Sequence, residues 1–158
     1  MPFDPETLTR LQEGASLVLG TVSTSGEPHA GRGWGIATSP EQPDAIRLLL
    51  DASDDVTIRH CDDGGRVALT IGNVRTYKSL QIKGSAVEVS PIGPDDTALA
   101  ERYCEDFFRA VVQVDRHSRA MLESWRPRDF VACTIRVESM YDQTPGPRAG
   151  AAVAEGGP

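Results

Sequence analysis

Six short apolar runs, separated by turn residues, constrain the fold of this chain more than any other feature of its sequence. The predicted strands cover residues 17–22, 28–38, 45–50, 67–71, 76–89 and 131–137. Alternation of apolar and polar side chains, as in residues 67–71, is the pattern of a strand with one buried face. Strands that follow one another through short turns favour an antiparallel barrel over a parallel sheet. We therefore predict a mainly β fold, a six-stranded barrel with accessory α-helices.

Helix signals occur at four places between and before these strands. The predicted helices begin near Asp4, Ser53, Pro94 and Arg116. Ser53 is predicted to be the N-cap of the second helix, which ends at Gly64-Gly65. In the third and longest helix an apolar side chain recurs every four residues, which indicates packing on a sheet. These side chains are Leu99, Tyr103, Phe107 and Val111.

Two of the predicted strands carry glycines in unusual places. Gly31, Gly33 and Gly35 alternate with Arg32, Trp34 and Ile36, so that three glycines share one predicted face. Glycine weakens a strand, and such a pattern indicates a bulge or a close approach by a backbone or a flat ligand. Strong barrel curvature without any ligand explains the pattern equally well. In the long strand 76–89 the apolar phase shifts after Gly84, which predicts a bulge there.

Composition limits the classes of function. The chain has 158 residues, the size of one domain, and its net charge of −7 argues against nucleic acid or an anionic membrane as the main partner. Cys61, Cys104 and Cys133 form no CxxC pair, and we expect buried free thiols in a cytoplasmic protein. We expect one domain over residues 1–144. Residues 145–158 are rich in glycine, proline and alanine and are predicted to be a flexible C-terminal tail.

The candidate site residues are anion-binding groups on strands. The sequence has no HExxH, P-loop or GxSxG motif, and the isolated histidines predict no metal site. Arg47 interrupts an apolar strand, so its side chain must either reach solvent or meet an anion. Ser53 adds a hydroxyl at a predicted helix start, where phosphate is favoured. The segment 76–84 adds further donors.

These elements resemble the pyridoxamine 5′-phosphate oxidase-like proteins. The resemblance rests on the strand at 17–22, the turn Gly26-Glu27-Pro28, the run Arg47-Leu48-Leu49-Leu50 and residues 76–84, and it covers about residues 8–140 in element order. It implies a split β-barrel of the FMN-binding type, with flavin mononucleotide bound at a homodimer interface. It also implies a set of cofactor-binding residues: Arg47 and Ser53 at the phosphate, Leu48 and Leu49 at the ring, and Lys78, Ser79 and Gln81 along the long strand.

The chain also departs from the oxidase pattern. Asp51 stands where the oxidases continue with lysine, Asp54-Asp55 stand where they carry an Arg-Lys pair, and the C-terminal Arg-x-His is absent. Oxidation of vitamin B6 is therefore not expected. The resemblance implies a flavoprotein oxidoreductase that transfers hydride to or from an unknown small molecule. The alternative is a non-catalytic carrier of haem or deazaflavin (F420) on the same fold, and a third possibility is a barrel that has lost its ligand.

The implied homodimer gives a further expectation about aromatic side chains. Aromatic residues concentrate at subunit interfaces. We therefore expect Trp34, Trp125, Phe107 and Phe108 to be buried between two copies of the chain.

Overall fold

The six strands close into one antiparallel barrel, which confirms the predicted fold class. The computed structural model describes residues 5–39 and 41–153. The strands are β1 (Ala15–Val22), β2 (Pro28–Ser39), β3 (Gln42–Asp51), β4 (Arg66–Asn73), β5 (Ser79–Pro91) and β6 (Phe130–Asp142). Around the barrel they follow the order β1-β2-β3-β6-β5-β4. The last predicted strand is therefore inserted between β3 and β5, an order that the sequence pattern alone does not specify.

Within the described part of the chain, four helices lie outside the barrel. They are α1 (Pro5–Gln12), α2 (Asp55–Asp62), α3 (Pro94–Asp115) and α4 (Arg119–Glu123). The N-cap of α2 is Asp54 and not Ser53 as predicted, because Asp54 Oδ1 accepts the amide of Thr57 at 3.1 Å. β5 begins at Ser79 and not at Thr76. The preceding residues form a turn instead, in which Asn73 Oδ1 accepts two backbone amides at 3.0 Å.

The barrel is split at one corner. β1 and β2 are paired only from Val18 to Val22, opposite residues 28–32, and the strands separate beyond that point. The side-chain amide of Gln12 fills the β2 side of the gap. Its Oε1 accepts the N–H of Ile36 at 2.8 Å, and its Nε2 donates to the C=O of Ile36 at 2.7 Å. The Tyr103 hydroxyl fills the β1 side and donates to Ala15 O at 2.8 Å. Thus α1 and α3 complete the backbone hydrogen bonding that the split would leave open.

Helix α3 buries its apolar stripe against the outside of β2. Trp34 is 3% exposed and lies edge-on to Tyr103 and Phe108, with ring centroids 6.4 Å apart in both pairs. Phe107 and Phe108 are equally buried. These three of the four aromatic residues expected at a dimer interface are therefore buried inside one chain, because α3 packs its two phenylalanines against β2, where Trp34 lies. Trp125 remains 45% exposed.

The glycines of β2 lie at a bulge and at close contacts with the rest of the chain. The pairing of β2 with β3 shifts register between Gly33 and Ile36, and Gly35 has φ +137°. The bulge reverses the side-chain phase, so that Ile36 faces the barrel interior opposite Leu48 and does not share a face with Trp34 as predicted. A Cβ on Gly33 would lie 2.7 Å from Leu48 Cδ1. The close approach is therefore made by side chains of this protein.

The chain after β6 folds back along that strand. The backbone amide of Val153 donates to Met140 O at 2.9 Å, and that of Asp142 donates to Ala151 O at 2.9 Å. Val153 also packs on the core. This part of the chain, which belongs to the predicted tail, lies at the edge of β6 that β3 leaves unpaired. The remainder of the predicted tail, 154–158, lies outside the described residues.

Candidate functional site

Arg47 forms an ion pair with a carboxylate of its own chain. Its guanidinium forms an ion pair with Asp96 of α3 at 2.9 Å. The same group donates to Ser90 Oγ and to Pro91 O, both at 2.9 Å. Burial alone would raise the pKa of Asp96, but the hydrogen bonds from Arg47 and from the Gly93 amide outweigh burial and hold this pKa below its usual range. In this structure Arg47 joins β3 to the start of α3.

Ser53 is also engaged within the chain. Its amide and its hydroxyl both donate to Asp51 Oδ1, at 2.8 and 2.7 Å. Asp54 accepts the amide and the hydroxyl of Thr57, at 3.1 and 2.6 Å. The amides and hydroxyls at the start of α2 thus donate to carboxylates, which are negatively charged as a phosphate is. The residues that the resemblance assigns to the phosphate of FMN therefore do not fit a phosphate group in this chain.

Leu48 and Leu49 are both fully buried. Leu48 faces the barrel interior, whereas Leu49 faces outward beside Leu99 of α3. Their strand is paired on both sides, with β2 and with β6, so its backbone has no open edge at these residues. A ring-shaped ligand can therefore reach neither leucine in this single chain.

The predicted residues of β5 lie on a different part of the barrel. Arg47 pairs with Thr134 of β6, and Thr134 pairs with Glu88 of β5. Gln81 stands seven residues (81 to 88) from that point, or about 20 Å along the strand. One chain therefore does not bring Arg47 and Gln81 into a common site. The assignment of both residues to one cofactor stays a prediction that requires a second subunit.

Gln81 belongs to a region of outward-facing residues on the barrel, which we call the open face. Two rows of residues cross five adjacent strands here, because their side chains alternate with the buried ones. One row is Arg32, Val18, Thr70, Gln81 and Tyr141, and the other is Ala30, Gly20, Ala68, Lys83 and Ser139. The second row contains small residues at Ala30, Gly20 and Ala68. Ser79 lies beside this face at the start of β5, and Lys78 is exposed in the turn before it.

The open face has the opposite charge to the chain as a whole. Its charged members are Arg32 and Lys83, and none of these ten described residues is acidic. Lys83 Nζ lies 4.8 Å from the ring centroid of Tyr141, and Gln81 Nε2 donates to Thr70 Oγ1 at 3.3 Å. Since the net charge of the chain is −7, this face is a local exception, and it suits an anionic ligand with a flat apolar part.

Arg32 lies at the edge of the open face, under α3. Its guanidinium carbon is 5.3 Å from the ring centroid of Phe107 and 5.9 Å from that of Trp34. The Nη1 atom is buried and finds no hydrogen-bond partner among the described residues. The two aromatic faces stabilise this charge in place of a carboxylate.

The remaining polar groups do not form a metal centre. Within residues 5–39 and 41–153, no group of three or more histidine, cysteine or acidic side chains is placed to hold a metal ion. His60 Nδ1 lies 2.8 Å from Thr21 Oγ1, and His29 Nε2 lies 3.5 Å from Asp54 Oδ1. Cys61, Cys104 and Cys133 are buried and free. Of the helices that the structure describes, none combines the length and apolar character needed to cross a membrane.

The sequence predicts Gln81 as a site residue and includes Lys83 among the donors of the segment 76–84, but it does not indicate the rest of the open face. Thr70 and Tyr141 each occupy an outward position of a strand, and alternation alone could have indicated that orientation. What brings them together is the register of β4, β5 and β6, which no local pattern specifies.

Comparison with known proteins supports the fold and not a closer relationship. No protein-family model matches the chain, and no curated protein matches its sequence. Among solved structures, HupZ from Group A Streptococcus is similar at 16% identity and a TM-score of 0.54, over 94% of this chain and 100% of that one. An F420 reductase is similar at 18% identity and a TM-score of 0.55, over 89% and 98%.

A third structure has a name that matches the resemblance drawn from the sequence. The pyridoxamine 5′-phosphate oxidase-related, FMN binding protein of Nostoc punctiforme PCC 73102 is similar at 12% identity and a TM-score of 0.50. The match covers 90% of this chain and 83% of that one. The barrel, its split and the long helix of this chain therefore have the fold of the pyridoxamine 5′-phosphate oxidase-like structures.

Proposed function

We propose that this chain is a flavin-type cofactor-binding protein, with FMN as the first candidate, and that it acts as an oxidoreductase on a small molecule. The observation that carries the proposal is the open face. It has small residues at Gly20 and Ala68 and polar side chains at Thr70 and Gln81, and it is basic in an acidic chain. A planar aromatic ring with an anionic or strongly polar edge is complementary to such a surface.

The proposal includes a homodimer. In one chain the residues of the open face are half-buried or exposed, and Val18 is 40% exposed. A second copy placed on this face would shield a bound ring from water and could add residues that one chain holds too far away. The similarity in fold to an FMN binding protein supports this cofactor, and the similarity to an F420 reductase supports deazaflavin as the second candidate.

The visible absorption spectrum of the purified protein tests the cofactor class. A flavin spectrum supports the proposal, a deazaflavin spectrum supports the second candidate, and a Soret band indicates haem. If the protein is colourless, it is titrated with FMN, and the absence of saturable binding contradicts the proposal.

Two charge-removing variants then test whether the open face is the binding surface. Lys83→Gln removes the exposed charge of this face and is expected to weaken FMN binding roughly tenfold, the effect of one charge-assisted contact with the polar edge of the ring. Arg109→Gln removes an exposed charge from α3 and serves as the matched control. Equal FMN affinities for the two variants would place the ligand elsewhere.

A further inference from the structure

The corner between β3 and α2 contains a cluster of acidic groups where the resemblance implies a phosphate. Asp51 Oδ1 accepts both donors of Ser53, at 2.8 Å from the amide and 2.7 Å from the hydroxyl. The amide of Asp55 is bonded to Ser53 O at 3.1 Å, and that of Thr57 to Asp54 Oδ1 at 3.1 Å. A phosphate at this helix start would have to displace these acceptors.

A glycine in β2 leaves room for this arrangement. Gly31 lies against the start of α2, where a Cβ would lie 2.7 Å from Asp54 Oδ2 and would overlap Thr57 Oγ1. The missing side chain leaves room for the carboxylate and for the threonine that it binds at 2.6 Å. On its other side, Asp54 Oδ1 is 3.5 Å from His29 Nε2. The Asp54 carboxylate therefore contacts residues of both α2 and β2.

The charge at this corner opposes a phosphate as well. Asp51, Asp54 and Asp55 lie within five consecutive residues, at the end of one strand and the start of one helix. Like charges at about 5 Å repel by roughly 1 kcal/mol each in water, and by more where solvent is excluded. Arg47, which the resemblance assigns to the phosphate, has its donors bound to Asp96, Ser90 and Pro91.

We propose that the β3–α2 corner excludes phosphate because its own carboxylates occupy it, so that a flavin bound to this chain is recognised by its ring and riboflavin binds as well as FMN. The second half of this statement rests on the proposed function. The exclusion of phosphate does not, because it concerns only the donors and charges of this corner.

Titration with inorganic phosphate tests the exclusion without any flavin. The amide resonances of residues 53–57 are followed in the full chain, with sodium chloride at equal ionic strength as the reference. We expect no saturable shift in the wild type up to about 50 mM phosphate. The variant Asp51→Asn/Asp54→Asn removes two charges and leaves one acceptor oxygen on each side chain, and it is expected to bind phosphate at least about tenfold more tightly.

The other end of α2 offers a matched control. Asp62→Asn/Asp63→Asn removes the same two charges from exposed residues and should leave phosphate binding as in the wild type. Saturable shifts at residues 53–57 of the wild type would overturn the exclusion. So would a double variant at 51 and 54 that folds, shows native amide spectra and still fails to bind phosphate.

Flavin titrations test the second half. The dissociation constants of FMN and riboflavin are expected to agree within about twofold in the wild type. FMN should gain about tenfold over riboflavin in Asp51→Asn/Asp54→Asn and gain nothing in the control. A wild type that binds FMN more than about tenfold tighter than riboflavin overturns the proposal. If neither flavin binds, the flavin function and the ring-recognition half both fail, while the phosphate titration still decides the exclusion.

Discussion

The guanidinium of Arg47 illustrates how a charge inside an apolar strand is satisfied. It is bonded to the Asp96 carboxylate, to Ser90 and to the carbonyl of Pro91, and its side chain is 26% exposed. Removal of one partner from such a partly buried pair leaves the other charge without compensation, and this loss exceeds the value of an exposed ion pair. The residue therefore fastens β3 to the start of α3.

Replacement of Arg47 tests this role. We expect Arg47→Met to lower the free energy of unfolding by about 2 kcal/mol, as for a lost hydrogen-bonded charge. Arg66→Met is the control, because Arg66 pairs with Glu138 in solvent and such pairs contribute about 0.5 kcal/mol. Urea unfolding measures both. If Arg47→Met has the same free energy of unfolding as the wild type and binds FMN more weakly than Arg66→Met does, the predicted cofactor role of Arg47 is favoured instead.

The same ion pair predicts a pH dependence. The pKa of Asp96 is lower in the folded chain than in the unfolded one, so the stabilisation by this carboxylate is complete above the unfolded pKa of about 3.9. It is lost as the pH falls through the lower, folded pKa. We expect Asp96→Asn to destabilise the protein at pH 7 and to differ less from the wild type at about pH 3.

Urea unfolding at the two pH values measures this difference. Asp95→Asn replaces the exposed neighbour of Asp96 in the first turn of α3 and serves as the control. A destabilisation by Asp96→Asn that is equal at both pH values would show that the charge of this carboxyl group is not what stabilises the fold.

At the scale of the elements, Gly84 marks the predicted bulge in β5. The pairing of β5 with β6 shifts register between Lys83 and Gly84, as the change of apolar phase predicts. A Cβ on Gly84 would overlap the carbonyl oxygen of Arg136, which belongs to the backbone of the neighbouring strand. The backbone cannot yield as a flexible side chain would, so any side chain here forces the two strands apart.

A pair of alanine substitutions tests this contact. Gly84→Ala is expected to lower the free energy of unfolding by about 1–3 kcal/mol, the usual result of overpacking. In Gly72→Ala the nearest atom to the new Cβ is Ser79 Oγ at 3.5 Å, which is an ordinary contact. Thermal unfolding compares the two variants. Equal melting temperatures would mean that β6 adjusts to the added methyl group without loss.

The elements follow from the sequence more completely than the site does. Alternation and turn residues predict the six strands, and the phase change at Gly84 predicts its bulge, because both depend on neighbouring residues. The order β3-β6-β5 depends on contacts between distant segments, and it places Arg47 and Gln81 apart. Ser53 and Asp51 are close in the sequence, so their hydrogen bonds are local. The sequence nevertheless does not show whether a carboxylate or a ligand accepts the hydrogen bonds of the Ser53 amide and hydroxyl.

At the scale of the whole molecule, the charges of the chain are unevenly distributed. The acidic β3–α2 corner and the basic open face lie on different parts of one barrel whose net charge is −7. An anionic ligand or an acidic surface is therefore attracted to the open face and repelled from the corner. A second copy of the chain that covers the open face must accommodate Arg32 and Lys83 beside the apolar Val18 and Ala30.

The oligomeric state tests this last expectation. We expect the wild type to sediment as a dimer at micromolar concentration. Val18→Lys adds a third positive charge to the open face, beside Arg32, and is expected to give a monomer, because an unpaired charge in an interface core is strongly unfavourable. Val114→Lys is the matched control, since Val114 lies on α3 and is also 40% exposed. A monomeric wild type, or dissociation caused by the Val114 variant and not by the Val18 variant, would contradict a dimer through this face.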